Sequence, residues 1–294
     1  MGEIKTLQSK NTFTPGMVWY FVIIHLVALL GFFPFAFSWS AVALMLVLNW
    51  MTASLGICLG FHRYLTHRSF ELPKWLGYIF VFIGSLALEN GPIKWVALHR
   101  LHHSNSDTDA DPHSARKGFW WAHIGWMTYH NSEYDNPFKL RQYAKDLVED
   151  PFYLFLDKYH IRIQVAVALI FYAIGGLPWL IWGTFIRLVL VYHQTWLVNS
   201  AAHKFGYKNV KLEQDLSTNC WWVGLLAFGE GWHNNHHAFP KSARHGLRPW
   251  EFDATWQVIR LLKALGLAKN VQVATMEPDA TGQFFTGKVT KEAA

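Results

Sequence analysis

Cysteine is nearly absent from this chain: Cys58 and Cys220 are the only two in 294 residues. Two cysteines cannot build a disulfide framework, and their scarcity fits a reducing compartment or a bilayer. Charge is scarce as well. Charged residues make up 16% of the chain and hydrophobic residues 52%, against about 25% charged in ordinary soluble domains. That balance excludes a disordered chain and argues against a freely soluble domain. No Gly-x-Gly-x-x-Gly or phosphate loop occurs, so there is no nucleotide signature. His-Glu-x-x-His is missing too, which disfavours a zinc protease, and no His-Pro-Gly-Gly haem signature is found. Only Glu230-Gly-Trp-His233 fits the Glu-x-x-His pattern, of which ferritin-like di-iron bundles need two. Asp107-Thr-Asp109-Ala-Asp111 starts like a calcium loop, but Pro112 and Gly118 stand where Gly and Glu are required.

The longest absence is of charge. Between Lys10 and Arg63 there is no Asp, Glu, Lys or Arg over 52 residues. As helix this exceeds two crossings of a hydrocarbon layer about 30 Å thick. The run predicts a hairpin, about 17–60, turning near Pro34, where a helix loses a hydrogen bond. A second run, 163–203, contains one charge, Arg187, and breaks around Gly175, Gly176 and Pro178. The expected fold is an all-α integral membrane protein with four transmembrane helices in two hairpins. Segments 61–162 and 204–269 form a cytosolic helical cap, all within a single domain, 1–294. Residues 270–294 read as a polar, mobile tail.

The net charge of +6 does not imply nucleic acid, because its placement follows the membrane. Two Lys or Arg precede the first hairpin, 12 lie between the hairpins and 11 follow. The positive-inside rule therefore puts both termini and the cap on the cytoplasmic or stromal side, and Arg187 is expected to snorkel at the far interface. The stretches 75–88 and 219–232 are too short to span and fit interfacial helices, and 118–130 is equally aromatic. Met1-Gly2 with Thr6 fits the loose myristoylation pattern, which we read as chance.

What the chain does have is histidine, 16 in all. Three clusters stand out: His62-Arg-Tyr-Leu-Thr-His67, His99-Arg-Leu-His102-His103 and His233-Asn-Asn-His236-His237. Residues at i, i+3 and i+4 share a helix face, while adjacent residues point about 100° apart. Two HxxHH clusters thus suit two neighbouring metals, each adjacent pair dividing its ligands. Imidazole suits iron, copper, zinc or nickel, so spacing does not choose. A lone histidine such as His25 reads as a satisfied core residue. Asp107, Asp109 and Asp111 are candidates to brace the histidines or simply to cap turns. Arg63, Arg68, Arg100, Arg116 and Lys117 could meet an anionic head group, an acidic carrier or anionic lipid.

The boxes HRYLTH, HRLHH and EGWHNNHH, with NSDTDADPHSARKG and WLVNSAAH, resemble those of the membrane fatty acid desaturases, delta-9 stearoyl-type branch. The likeness runs from about Trp19 to Trp250. It implies two iron ions held by His62, His67, His99, His102, His103, His233, His236 and His237. It also adds His203, and Asn199 through water. The implied reaction is O2-dependent insertion of a cis double bond at delta-9 of a C16 or C18 acyl chain, on a glycerolipid or CoA. Two electrons would come from ferredoxin or cytochrome b5, in a bacterial plasma or thylakoid membrane. Trp50, one turn from Ser54 on the second helix, is the expected closure of the substrate tunnel. A fatty acyl or sterol hydroxylase on the same scaffold is the alternative enzyme, and a non-enzymatic metal-binding membrane protein the other class.

Overall fold

A computed structural model describes residues 11–132 and 134–292; the Met1–Thr6 pattern lies outside them. Apolar runs dominate the architecture. Pro15–Phe32, Trp39–Thr66 and Pro151–His203 are long and apolar enough to cross a membrane. Helix α1 (Pro15–Leu29) has Pro15 at its first turn, where a missing N–H costs nothing. The chain then reverses through two short 3-10 turns, the second at Pro34–Ala36. Helix α2 (Trp39–Thr66) starts on Ser38, whose hydroxyl accepts from the Ala41 amide. It runs six residues beyond the expected end at Gly60.

Helix α3 (Lys74–Ser85) lies closely against α2. A Cβ on Gly56 would sit 2.5 Å from the Gly84 nitrogen, so the two backbones meet only because both residues are glycine. Trp75, Ile79 and Phe82 face outward from α3, a stripe suited to an interface. Helix α4 (Pro92–Asn105) follows, then the short α5 (Phe119–His123) and α6 (Pro137–Tyr143). Buried Ile57, Phe61, Val81, Val96 and Leu156 join α2, α3, α4 and the next long helix in one core.

That helix, α7 (Pro151–Leu180), is capped by Asp150 and starts twelve residues before the expected 163. It folds sharply at Gly176, whose φ of 66° and ψ of −157° are open only to glycine. Beyond the fold, wide helical turns over Ile181–Ile186 lead into α8 (Arg187–Ser200). Gln164 bonds Arg187 across the two arms, so they run side by side.

The remaining helices are α9 (Trp221–Leu226), α10 (His233–Ala238) and α11 (Ala254–Ala264). Only six residues of 219–232 are helical, which corrects the expected interfacial helix; backbone bridges of Asn219 to Tyr207 and Trp232 claim the rest. Arg187 does not snorkel: it is 1% exposed and bonded inside the bundle. The fold is also not wholly helical. Strand β1 (Thr12–Phe13) pairs β2 (Tyr129–His130), tying the segment before α1 to the one after α5.

The supposed tail is structured. Strands β3 (Gln272–Pro278) and β4 (Phe285–Lys291) form an antiparallel hairpin, with Val271 and Ala274 buried. The Ala243 amide donates to Gln272 O, Ala274 to Ser242 Oγ and Phe285 to Asn209 O. Such a hairpin keeps most side chains in water, so its composition reads as polar while backbone bonds hold it in place.

Candidate metal centre

Each histidine cluster is aimed by its local structure. In an α-helix, five residues would leave His62 and His67 about 140° apart. The lower part of α2, Trp50–Thr66, instead has π-helical hydrogen bonding, and the His67 amide donates to His62 O at 3.1 Å. Five residues then make slightly more than one turn, and the two rings lie 4.8 Å apart. Helix α4 is capped from α7, where Asp157 Oδ1 accepts from the Ile93 and Lys94 amides. Its buried Val96, Ala97 and Leu101 leave His99, His102 and His103 facing inward. In α10, Asn234 accepts from the Asn209 and Val210 amides, and Asn235 donates to Glu251 and His245 O. These buried asparagines fix the helix that carries His233, His236 and His237.

The nine histidines converge in two groups. His62, His67, His99, His103 and His236 form one, and His102, His203, His233 and His237 the other, with one ring nitrogen from each member within 4.8 Å of the rest. His102 and His103 go to different groups, as do His236 and His237, as helix geometry requires.

Carboxylates stand behind both groups. His62 Nδ1 donates to Glu230 at 2.7 Å, His102 to Asp111 at 2.9 Å, His203 to Asp107 at 2.8 Å and His237 to Asp215 at 2.6 Å. Each bond fixes a tautomer with its bare Nε2 turned inward. The consequence is plainest for His102 and His237, whose Nε2 lone pairs face each other at 3.3 Å. Facing acceptors repel, and a cation between them turns that repulsion into attraction. His67 Nε2, His203 Nε2 and both nitrogens of His233 are also buried without a hydrogen-bond partner. The donor set therefore fits divalent transition metals that take imidazole.

The electrostatics favour neutral ligands at most of these positions, whereas at His102 burial is outweighed by the Asp111 carboxylate, which shifts the ring upward. Burial and then neighbouring histidines push His67, His99, His103, His233 and His236 well below the usual histidine range. Burial opposes ionisation of Asp107, Asp111 and Asp215, but their histidine partners hold all three low. Glu230 is likewise held far down by His62, His245 and Arg63 despite burial. Anionic carboxylates behind neutral imidazoles raise ligand basicity.

Residues 37–261 match the family model described as fatty acid desaturase. The chain belongs to the fatty acid desaturase family. It is 57% identical over 256 residues to the sn-1 stearoyl-lipid 9-desaturase of Anabaena variabilis, covering 87% of this chain and 92% of that one. To the sn-1 stearoyl-lipid 9-desaturase of Synechocystis sp. it is 54% identical, over 90% of this chain and 83% of the relative. An sn-2 palmitoyl-lipid 9-desaturase of Nostoc sp. is 49% identical, over 86% and 88%. All nine histidines of this desaturase-family chain lie inside the matched interval.

Sequence reasoning missed several neighbours of the family's histidine boxes. Glu230 carries the signal of a Glu-x-x-His pattern, but it braces His62 rather than binding in a bundle template. Asp215, 22 residues from His237, has no local signal. His245 is buried against Glu230 at 3.2 Å, with its ring tilted against that of His236 at 4.4 Å. Asp107 and Asp111 brace histidines, whereas Asp109 contributes only its carbonyl, to Lys117. Arg63 does not reach a head group: it is buried between Glu230 and Asp253. Arg100 and Arg68 are bound to Asp146, and Arg116 to Asp107 O and Gln214 O.

Two cavities reach the centre. One of about 340 Å³ runs from Thr14, Lys94 and His130 past Glu89, Trp95 and Thr195 to His99 and Asn199. The other, about 50 Å³, extends from His62, His99, His233 and Asn199 along Ala53, Ile57 and Cys58. Trp50, 42% exposed, projects from the outer surface, and Ser54 bonds Thr255 Oγ1 at 3.0 Å. Neither is among the residues lining these two cavities.

Proposed function

We propose that this protein is an acyl-lipid delta-9 desaturase, inserting a cis double bond into a saturated C16 or C18 chain. The observation that carries it is the pair of carboxylate-braced histidine groups at the end of an apolar cavity, in a chain 57% identical to a stearoyl-lipid 9-desaturase.

Two iron ions would be held by His62, His67, His99, His103 and His236 and by His102, His203, His233 and His237, with Asn199 reaching one through water. When bound, the irons supply O2 activation with two electrons from ferredoxin or, in the alternative, cytochrome b5. The chain's own part is positioning. The cavity walls of Ala53, Ile57, Trp95 and Thr195 hold an unactivated methylene beside the centre and exclude water. Glu230, Asp107, Asp111 and Asp215 keep the four Nδ1 protons away from the inward nitrogens.

In this reading the whole chain is one domain and α7 and α8 are two crossings, folded at Gly176. That makes four spans, with both termini and the histidine cap on the cytoplasmic or stromal side of a plasma or thylakoid membrane. The test is the lipid profile of a host without unsaturated chains, expressing the protein together with a reduced ferredoxin. New cis-9 monoenes on glycerolipids, with iron in the purified protein, are expected. Hydroxylated chains or no product would defeat the reading.

A further inference from the structure

Arg187 is the single charged residue between Ile163 and His203. Buried charges at membrane depth are costly, and those that persist mark functional positions. Its four bonded N–H groups all go to neutral acceptors. Nε donates to Gly183 O at 2.8 Å, Nη1 to Leu86 O at 3.0 Å and Thr52 Oγ1 at 3.3 Å, and Nη2 to Gln164 Oε1 at 2.9 Å. Neither 11–62 nor 163–203 contains an Asp or Glu. One turn away on the same helical runs, Asn49 Oδ1 and Thr184 Oγ1 are buried without partners, as is Gln164 Nε2. A polar plate thus crosses an otherwise apolar bundle.

The plate lies where the smaller cavity ends. On α2 that cavity is lined by Cys58, Ile57 and Ala53, and Thr52 comes next. On α8 the lining residues Val198, Thr195 and Gln194 continue along one face to Val191, fully buried, and then Arg187. His62 and Thr52 are ten residues apart on the π-helical part of α2, whose rise per residue is smaller than that of an α-helix, about 12 Å in all. The nine bonds from C9 to the methyl end of an eighteen-carbon chain are a little shorter than this.

We propose that Arg187, held by Gln164 and Thr52, is the floor of the acyl cavity and sets the upper limit of chain length. This rests on the desaturase reading above. A methyl end can fill the space against Ala53 and Val191. Two further carbons would have to displace hydrogen bonds that no methylene can replace, leaving buried donors unpaired. The limit is therefore chemical as well as steric.

The experiment is competition between eighteen- and twenty-carbon saturated chains in a host lacking unsaturated lipids, with bond position and chain length of each product read by mass spectrometry. Arg187→Met with Gln164→Leu removes the charge and its acceptor together. It is expected to raise the twenty-to-eighteen product ratio about tenfold, with cis-9 placement and metal content kept. If that double variant does not accumulate, Thr52→Ala, which opens the same level, carries the decision through a rise in the same ratio. An unchanged ratio in an accumulating, metal-loaded variant overturns the floor. Absence of any cis-9 product from the unaltered protein defeats the desaturase reading itself, and the floor with it.

Discussion

Two histidine clusters in this molecule have opposite designs. At the metal centre, four rings are backed by carboxylates, and the inward nitrogens either lie 2.9 to 3.3 Å from one another or, at His67, His203 and His233, have no hydrogen-bond partner. A second file joins α1, α8 and α5: His25 Nε2 meets His193 Nε2 at 3.1 Å, and His193 Nδ1 meets His123 Nε2 at 3.1 Å. Its ends rest on Phe21 O and Ser200 Oγ, at 2.7 and 2.9 Å. One set of neutral tautomers satisfies every bond in that file when the Ser200 hydroxyl, which also lies 2.7 Å from Trp196 O, turns its proton to His123: His123 then donates to His193, His193 to His25, and His25 to the backbone. No ring nitrogen is left over for an ion. A histidine cluster is a metal site when its tautomers cannot be satisfied from within, and a packing device when they can.

Substitutions at the two clusters should separate these designs. The largest effect belongs to His236→Ala and His102→Ala, one from each group: loss of metal by elemental analysis and loss of all monoene product. Retained metal at full stoichiometry would break the distinction. Asp215→Asn leaves every ligand in place but removes the anion behind His237. Metal affinity should fall about 10- to 100-fold, read by competition with a chelator. His193→Ala should keep metal and product and lower stability by about 1 kcal/mol, read by thermal unfolding in detergent.

The smallest effect concerns Glu89, on the wall of the larger cavity. Burial raises its pKa to about 7, although hydrogen bonds from Thr195 and Trp95 oppose the shift. The folded state then holds a proton that the unfolded chain has already lost. Stability therefore falls as pH rises from the ordinary carboxylate range toward 7 and is level above it. Glu89→Gln should flatten that decline, measured as melting temperature between pH 5 and 8.

Much of this was legible in the sequence. Helix-face arithmetic on His99, His102 and His103 already pointed to two ligand groups, because adjacent side chains diverge by about 100°. The charge-free run before Arg63 and the break at Gly176 were equally plain, since burial and backbone freedom are local matters. Asp215 and His245 were invisible, because a brace is chosen by proximity in space and nothing near them in sequence marks it. The final hairpin was misread for a related reason. Hydropathy reports side chains, whereas β3 and β4 are held by backbone bonds to each other and to Ser242, Ala243 and Asn209.

Arg187 shows the same division most sharply. Sequence put one cation inside an apolar run, and physical chemistry demanded either water or partners for it. Snorkelling was the solution available to a helix considered alone. Packing against Thr52, Leu86 and Gln164 supplied the other. The sequence by itself determined the apolar helices, the histidine spacing and hence the need for two metal groups, because periodicity and hydropathy act along the chain. Only the tertiary structure decided which carboxylate braces which ring and where the cavity ends, because those depend on atoms 9 to 168 residues apart meeting at 2.6 to 3.3 Å.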